Sequence, residues 1–322
     1  MQAIAMQSVT VVMTPRERFG VTQRSYESLR RHTQSDYRLV VVDGGSPPAV
    51  RDFLAAQARE TGFKLVRRDY FLAPNEARNL ALGEIDTAFV AFVDNDVLYS
   101  DGWLDALLDC ARETGADIVA PLTCIGDPPH THIHMAGGDI RFIDEAGGRA
   151  VEDGHRLMGV PLADVAGRLR REPCDFAEFH CMLVRRSVFA KTGPLDEGLK
   201  TTLEHVDFCM SARQAGARIW FEPGSLVTYF APPPLDPADI PFYVTRWNDA
   251  WGVASMHRFM EKWHCRFDVE RRRRGWIERH RRQPFEAMRA RLQRLIGWRA
   301  TQAFLAWREN RIIRKALAQR PA

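Results

Sequence analysis

The stretch AFVAFVDND at residues 88–96 decides the fold of this chain. Its first six residues are apolar, which predicts a strand buried on both faces of a largely parallel sheet. In open α/β sheets ligands bind beyond the carboxyl ends of the strands, where Asp94 and Asp96 would lie. Two carboxylates one residue apart can hold a hard divalent cation, and the cation can hold a diphosphate. The alternative is an exposed turn, because Asp and Asn favour turns.

Strand and helix signals alternate over the first hundred residues, as a mostly parallel sheet requires. The pattern predicts strands at 8–13, 37–42, 63–66 and 88–93, with helices at 20–33, 49–60 and 75–82 between them. Further along it predicts a helix at 102–114, a strand at 116–121, an apolar segment at 180–184, a helix at 203–216 and a last strand at 217–221. Residues 124–172 are rich in glycine and are expected to form mainly loops.

Composition indicates a globular chain of 322 residues with 45% apolar content, enough for one large domain and an addition. The longest apolar runs fall far short of the roughly 20 residues that a transmembrane helix needs. The first six residues lack the basic and apolar regions of a secretory signal. The six cysteines are scattered without a C-x-x-C pair, which indicates reduced thiols and a cytoplasmic location.

Charge divides the chain into two parts. Residues 262–322 contain 18 Lys and Arg against 5 Asp and Glu, whereas the first 261 residues contain 27 basic and 36 acidic side chains. Three prolines at 232–234 mark the predicted boundary between a domain at 1–231 and a helical, Arg-rich extension at 232–322. The basic extension predicts an anionic partner, either a membrane surface or a nucleic acid.

Several further motifs occur in a fixed order over residues 7–230. They are the strand that runs into Thr14-Pro15-Arg16, VVDGGS at 41–46, NEARN at 75–79, FVDND at 92–96, CMLVRR at 181–186 with GPLDE at 193–197, and EHVDFC at 204–209. Together they resemble glycosyltransferase family 2, whose members have the GT-A fold. The resemblance implies an α/β, Rossmann-like mixed sheet of the GT-A type, here with a C-terminal helical extension.

The resemblance also implies roles for individual residues. Those implied to bind the nucleoside-diphosphate sugar are Thr14, Pro15, Arg16, Asp43, Arg78, Asp94 and Asn95. Within this set Asp43 would bind the base, Arg78 would neutralise the diphosphate, and Asp94 would hold the ribose or the sugar. Asp96 would ligate Mg²⁺ or Mn²⁺. A cation together with an arginine can stabilise the charge that grows on a leaving nucleoside diphosphate.

Two departures from the family pattern concern the base and the metal. The family usually has Glu-Asp where this chain has Glu204-His205, so the catalytic base is Glu204, His205 or Asp207. Many members also have a metal-binding histidine after the last strand, whereas VTYF at 227–230 contains none. Metal binding would then rest on Asp96 and the phosphates, which suits Mg²⁺.

Histidines occur at 130, 132 and 134, where a strand would place all three on one face. They are a candidate zinc set, although a strand or loop beside the acceptor groove is the favoured interpretation. His180 is expected to be a core residue, with acceptor contact as its alternative.

The extension has apolar residues at helical spacing, from Phe285 and Met288 to Leu295 and Ile296, with arginines between them. This pattern predicts either a basic amphipathic helix that lies on an anionic membrane through residues 284–322, or a helix packed on the domain or on a homodimer partner.

The resemblance therefore implies a metal-dependent, inverting sugar transferase with a glycan or lipid-linked acceptor. It would act in polysaccharide or glycoconjugate assembly at the cytoplasmic face of a membrane. One rival is a nucleotide-sugar-binding protein that has lost catalysis. The other is an Arg-rich nucleic-acid-binding protein, against which the acidic balance of the first 261 residues argues.

Overall fold

The computed structural model describes residues 9–145, 148–230 and 235–320. Two predictions concern residues outside these ranges. They are the absence of a secretory signal, which rests on the first six residues, and the domain boundary at prolines 232–234. The strands of the described chain are β1 (Val9–Thr14), β2 (Tyr37–Gly44), β3 (Lys64–Arg68), β4 (Phe89–Asp94), β5 (Val97–Tyr99), β6 (Ile118–Ile125), β7 (His132–Met135), β8 (Gly138–Glu145), β9 (Gly148–His155), β10 (Glu172–Pro173), β11 (Cys181–Arg185) and β12 (Ile219–Tyr229).

Helices cover the faces of this sheet and form the C-terminal part of the chain. They are α1 (Thr22–His32), α2 (Pro48–Thr61), α3 (Pro74–Leu82), α4 (Trp103–Thr114), α5 (Leu162–Val165), α6 (Ser187–Thr192), α7 (Glu204–Gln214), α8 (Ile240–Arg246), α9 (Asp249–Trp263), α10 (Val269–Arg272), α11 (Arg279–Arg282) and α12 (Glu286–Leu317). Short 3₁₀ turns cover Ala166–Arg168 and Gln283–Phe285, and a π-helical turn covers Arg273–Glu278.

The strand order of the main sheet is β3-β2-β1-β4-β11-β6-β12-β10. Strands β1 to β4 are mutually parallel, because the helices between them return the chain to the same edge. Strand β11 lies antiparallel between β4 and β6. The predicted mixed α/β sheet with a C-terminal helical extension is confirmed, and β4 lies at the centre of the sheet.

Strand pairing brings three chain segments together at the carboxyl edge of β4. Thr14, the last residue of β1, lies opposite Asp94. On the other side Cys181 of β11 lies opposite Val93, so that His180 reaches the same edge. The Asp94 amide donates to the His180 carbonyl at 3.1 Å. The end of β1, the Asp94–Asp96 triplet and the entry to β11 therefore form one surface.

The glycine-rich segment 124–172 is more ordered than predicted. It contains β7 and a hairpin in which β8 and β9 pair along their whole length. Glycines lie at the ends of these strands, where Gly148 has a φ of 121°. At Gly138 a Cβ would approach the Phe176 ring to 2.2 Å, so the close contact excludes a side chain. The loop prediction was wrong because glycine was taken as a breaker rather than as a strand terminus.

Aromatic residues of α8 and α9 are packed in a core, with Phe242 and Phe259 at most 1% exposed. Helix α12 is interrupted at Gly297, whose φ is 77°. The second half of α12 packs Leu305 against Val244 and Phe285, and Glu309 accepts a hydrogen bond from Arg281 at 2.9 Å. The apolar residues before the kink therefore do not share one face: Phe285 is buried, while Leu295 is 79% exposed.

Candidate functional site

Asp94 is fully buried and faces three cationic or ionisable groups. Arg16 and Arg78 lie 3.4 and 3.3 Å from its two carboxylate oxygens, and His180 Nδ1 lies 3.2 Å away. Burial opposes ionisation of Asp94, but His180, Arg16 and Arg78 together lower its pKa. Asp94 is therefore an anion whose charge is already matched by this chain's own side chains.

Asn95 holds the turn of the triplet in place. The side-chain nitrogen of Asn95 donates to the Arg18 carbonyl at 2.7 Å and to the Thr22 hydroxyl at 2.8 Å. Its side-chain oxygen accepts from the Arg16 amide at 2.9 Å. All of these contacts are internal, so the arrangement suits a positioning role for Asn95.

Asp96 differs from both neighbours because its carboxylate has no partner. The residue is fully buried, and neither carboxylate oxygen makes a hydrogen bond within the described chain. Burial and the adjacent Asp94 raise the pKa of Asp96 well above its usual range. A buried carboxylate without a partner is costly, and a bound cation would remove that cost. The residues at this site therefore fit a divalent cation.

His180 adds a nitrogen ligand to the two carboxylates. The ligand atoms of Asp94, Asp96 and His180 lie within 4.8 Å of one another. Burial lowers the pKa of His180 to about 4, so its ring is neutral at physiological pH and can donate a lone pair. The ring of Tyr229, the last residue of β12, stacks on the His180 ring with 4.3 Å between the ring centres.

The residues expected to bind the nucleotide lie at the ends of β1 and β2. Asp43 is buried and accepts hydrogen bonds from the Ser46 amide at 3.1 Å and its hydroxyl at 2.8 Å. Arg67 pairs with the same carboxylate. Thr14 and Pro15 are buried beside the triplet, and the Thr14 carbonyl accepts from the Asn95 amide at 2.9 Å.

Arg78 on α3 provides a buried positive charge next to Asp94. Its guanidinium carbon lies 3.9 Å from the centre of the Phe179 ring. Burial lowers the pKa of Arg78 to about 10, although Asp94 opposes this change. The side chain therefore stays protonated at neutral pH and is paired with Asp94.

The start of α7 points Glu204 and His205 into a cavity of about 450 Å³. Leu203 just before the helix has a left-handed φ of 67°, which is uncommon for a residue with a side chain. Glu204 Oε1 lies 3.4 Å from Arg246, while Glu204 Oε2 has no hydrogen-bond partner in the described chain. Other residues lining the cavity are Arg16, His155, Glu178, Trp247 and Trp276.

Asp207 lies one turn further along α7 and away from this cavity. Its two oxygens accept hydrogen bonds from Lys262 Nζ and Trp263 Nε1, both at 2.8 Å. Burial raises the pKa of Asp207 despite these contacts. Both partners lie on α9, so the carboxylate links two helices.

The three histidines at 130, 132 and 134 do not converge, so the zinc set considered from their spacing is wrong. Only His132 and His134 belong to β7, and His132 is exposed. His130 precedes the strand with a φ of 62° and its Nδ1 lies 2.7 Å from the Thr228 hydroxyl. His134 alone turns towards Glu178, at 2.8 Å.

The structure adds residues that sequence reasoning missed. Arg246 on α8 reaches Glu204 from beyond the predicted domain boundary, and no local motif marks it. Glu178 and His155 line the cavity. His180 was expected in the core. Its position beside Asp94 becomes apparent only when β11 is known to pair with β4.

Two curated relatives show similarity to this chain. The pre-mycofactocin glycosyltransferase of Mycobacterium tuberculosis is 29% identical over 226 residues, which cover 69% of this chain and 42% of that protein. The succinoglycan biosynthesis protein ExoW of Rhizobium meliloti is 28% identical over 207 residues, which cover 62% of this chain and 61% of the relative. The chain thus spans about half the length of these proteins.

Solved structures show the fold. The crystal structure of GalNAc-T7 with UDP, GalNAc and Mn²⁺ matches 90% of this chain and 58% of that chain, with a TM-score of 0.54 and 16% identity. The structure of S. aureus TarS residues 1–349 with UDP matches 82% of this chain and 74% of that chain, with a TM-score of 0.50 and 14% identity. The predicted GT-A-like architecture is confirmed at the level of the fold.

The family assignment rests on the part of the chain that builds the site. Residues 10–193, more than half of the chain, match the family described as Glycosyl transferase family 2. They include β1, the Asp43 turn, Arg78, the Asp94–Asp96 triplet and His180. The resemblance seen in the motifs is thereby confirmed, and this chain belongs to glycosyltransferase family 2.

Proposed function

We propose that this chain transfers a sugar from a nucleoside diphosphate donor to an acceptor hydroxyl, with a divalent cation and with inversion at the anomeric carbon. The main support is Asp96, a buried carboxylate without a hydrogen-bond partner among the described residues, next to an Asp94 whose charge is matched by Arg16 and Arg78. This arrangement needs one more cation, and a cation with arginines is what a leaving diphosphate requires.

In this proposal Asp96, Asp94 and His180 hold Mg²⁺ or Mn²⁺. The bound cation would stabilise negative charge on the leaving nucleoside diphosphate. Arg78 would face the diphosphate and Arg16 would hold Asp94 in place. Asp43, with Thr14 and Pro15 beside it, would bind the base or ribose after exchanging its contacts with Ser46 and Arg67 for the ligand.

The acceptor would enter the cavity at the start of α7. Inverting transfer needs one base that removes the proton of the acceptor hydroxyl. Glu204 is our candidate because it lines the cavity and its Oε2 accepts no hydrogen bond from the part of the chain that the structure describes. His205 is the alternative base. Asp207 is proposed to be structural, because Lys262 and Trp263 occupy both of its oxygens.

The acceptor class follows from the relatives rather than from the cavity. ExoW is a succinoglycan biosynthesis protein. On that basis we propose a glycan or lipid-linked acceptor and a place in polysaccharide or glycoconjugate assembly. The cavity, bordered by Trp247 and Trp276, offers aromatic faces of the kind on which sugars stack.

A thermal-shift screen of nucleoside diphosphate sugars tests donor binding. With Mn²⁺ or Mg²⁺ present, we expect one donor class to raise the melting temperature, since ligands that bind only the native state stabilise it. Donor hydrolysis measured with and without Mn²⁺ separates an enzyme from a binding protein that has lost catalysis. Stabilisation without any turnover would favour the inactive binding protein.

We propose in addition that the segment around Gly297 attaches to an anionic membrane, on its cytoplasmic face. None of the described helices is long and apolar enough to cross a bilayer. Leu295, Ile296 and Trp298 are nonetheless exposed, at 79%, 48% and 65%. Exposed arginines at 291, 294 and 299 surround them. Each basic residue near an anionic leaflet contributes about 1 kcal/mol, so apolar insertion and charge would act together.

The double substitution Leu295→Glu with Trp298→Glu should release the protein from phosphatidylglycerol-rich vesicles at low salt. The melting temperature should stay unchanged, because both side chains are exposed and make few packing contacts. Phe142→Glu, at an exposed apolar residue of β8, is the matched control. Co-sedimentation of all three proteins is the measurement.

Deleting residues 284–322 is a poorer test, because it also removes Leu305 and Glu309 from their contacts with α8 and α11. The membrane proposal fails if the full-length protein does not sediment with these vesicles. It fails equally if the double variant binds them as strongly as the control. Dissociation of a homodimer in the double variant would assign the exposed segment to a second copy of the chain. Salt-dependent binding to DNA rather than to vesicles would assign it to a nucleic acid.

A further inference from the structure

A cluster of histidines surrounds Glu178 on the acceptor side of the cavity. His134 on β7, His155 at the end of β9 and Glu178 before β11 place their ligand atoms within 4.8 Å of one another. His134 Nε2 lies 2.8 Å from Glu178 Oε2, and His155 Nε2 lies 3.5 Å from Glu178 Oε1. His205 Nε2 faces the same oxygen at 3.8 Å. Four separate segments thus direct nitrogen and oxygen ligands to one point.

These spacings suit a tetrahedral metal. Zinc binds imidazole nitrogen and carboxylate oxygen at about 2.0–2.2 Å, so two ligands of a tetrahedral ion lie roughly 3.3 Å apart. The separations of 2.8 and 3.5 Å from His134 and His155 to Glu178 bracket that value. Small side-chain adjustments would bring all three ligands to bonding distance.

Buried nitrogen atoms without partners also favour a cation here. His205 Nε2 and His155 Nδ1 are buried atoms without hydrogen-bond partners in the described chain.

The ligand set differs in kind from the one around Asp96. Mg²⁺ and Mn²⁺ prefer oxygen ligands, whereas imidazole suits zinc and its neighbours in the transition series. Two histidines and one glutamate form a ligand set known for zinc sites that keep an open fourth position. Glu178, His155 and His205 all line the cavity, so that position would face the acceptor.

We propose that His134, His155 and Glu178 bind a zinc-type transition metal ion at a second site. This site adjoins the Mg²⁺ or Mn²⁺ site at Asp96, because His180 lies 3.2 Å from Asp94 and 3.8 Å from Glu178. This inference does not depend on the proposed transferase activity, since it concerns metal binding alone. The ion would join the β8–β9 hairpin to the sheet edge through His155. His205 lies close enough to become a fourth ligand, and Glu204 would then be the remaining base in the cavity.

The test measures zinc binding to the full-length protein after a chelator has removed its metal. Competition with a chromophoric chelator then gives the affinity. We expect one zinc ion per chain at a site that excess Mg²⁺ does not displace. His155→Ala should weaken zinc binding by at least about 10²-fold, because a ligand is lost. His132→Ala, an exposed histidine on the same strand as His134, should bind zinc like the wild type.

Two further measurements locate the ion. Asp96→Asn should keep zinc binding, and Co²⁺ bound in place of zinc should show the intense visible absorption of a four-coordinate ion. Glu178→Gln should weaken zinc binding as His155→Ala does. A circular dichroism spectrum like that of the wild type would show that the variant is folded. The proposal is overturned if the wild type binds no zinc, which would leave a hydrogen-bonded network. Unchanged zinc affinity in His155→Ala also overturns it. Loss of zinc in Asp96→Asn with retention in His155→Ala would place the ion at the triplet instead.

Discussion

Asp96→Asn should lower sugar transfer by about 10³-fold or more while leaving the protein folded. A metal ion contributes several kcal/mol of charge stabilisation, and each 1.36 kcal/mol corresponds to about tenfold in rate. Folding should not suffer, because the Asp96 carboxylate makes no hydrogen bond in the described chain and its burial is costly. Steady-state product formation and a thermal melt are the two measurements.

Asp86→Asn is the matched control for this prediction. Asp86 is exposed and precedes the opposite end of β4, so the same chemical change is made far from the site. The control should transfer sugar at the wild-type rate. Comparable activity of the two variants would remove Asp96 from the metal site.

Glu204→Gln should lower turnover by about 10²-fold or more while donor binding persists, as expected when a positioned base is lost. The substitution keeps the size of the side chain and its contact with Arg246, so a change in fold is a poor explanation for the loss. The turnover number should therefore fall while the affinity for the donor, measured by calorimetry, stays the same.

Two variants on the same helix separate the alternatives for the base. Asp207→Asn should lower the melting temperature, because it weakens the contacts with Lys262 and Trp263, and should affect turnover less than Glu204→Gln. His205→Ala should retain more activity than Glu204→Gln. If instead Glu204→Gln is near wild type and His205→Ala is inactive, histidine is the base and our assignment is wrong.

The sequence predicted the centre of the fold because its signals were local. The apolar run 88–93 formed β4, and the alternation before it formed β1 to β3 with their helices. Each of these elements is specified by residues next to one another in the chain. The family motifs up to residue 96 also lay within this part, so the triplet, the Asp43 turn and Arg78 were named as candidates before their positions in space were known.

The remaining site residues depend on long-range contacts that no local pattern encodes. His180 joins Asp94 only because β11 pairs antiparallel with β4, and Arg246 reaches Glu204 across 42 residues of sequence. The spacing of His130, His132 and His134 suggested the wrong zinc set, since two members leave the cluster. His155, from a hairpin that was taken for loops, and Glu178, from the segment before β11, lie beside His134 instead.

The apolar tail pattern was only partly informative for a similar reason. Helical spacing placed Phe285, Met288 and Leu295 on one face, but Phe285 is buried while Leu295 is 79% exposed, and α12 is interrupted just after them at Gly297. Packing against α8 then decides which apolar side chains are buried.

The central claim is that a divalent cation at Asp96 makes this chain a sugar transferase. The most direct measurement is release of nucleoside diphosphate from a panel of nucleoside diphosphate sugars, with Mn²⁺ and with EDTA, for the wild type and Asp96→Asn. We predict release from at least one donor by the wild type with Mn²⁺, and none above background with EDTA or in the variant. Equal release with EDTA, or by Asp96→Asn, would contradict the claim.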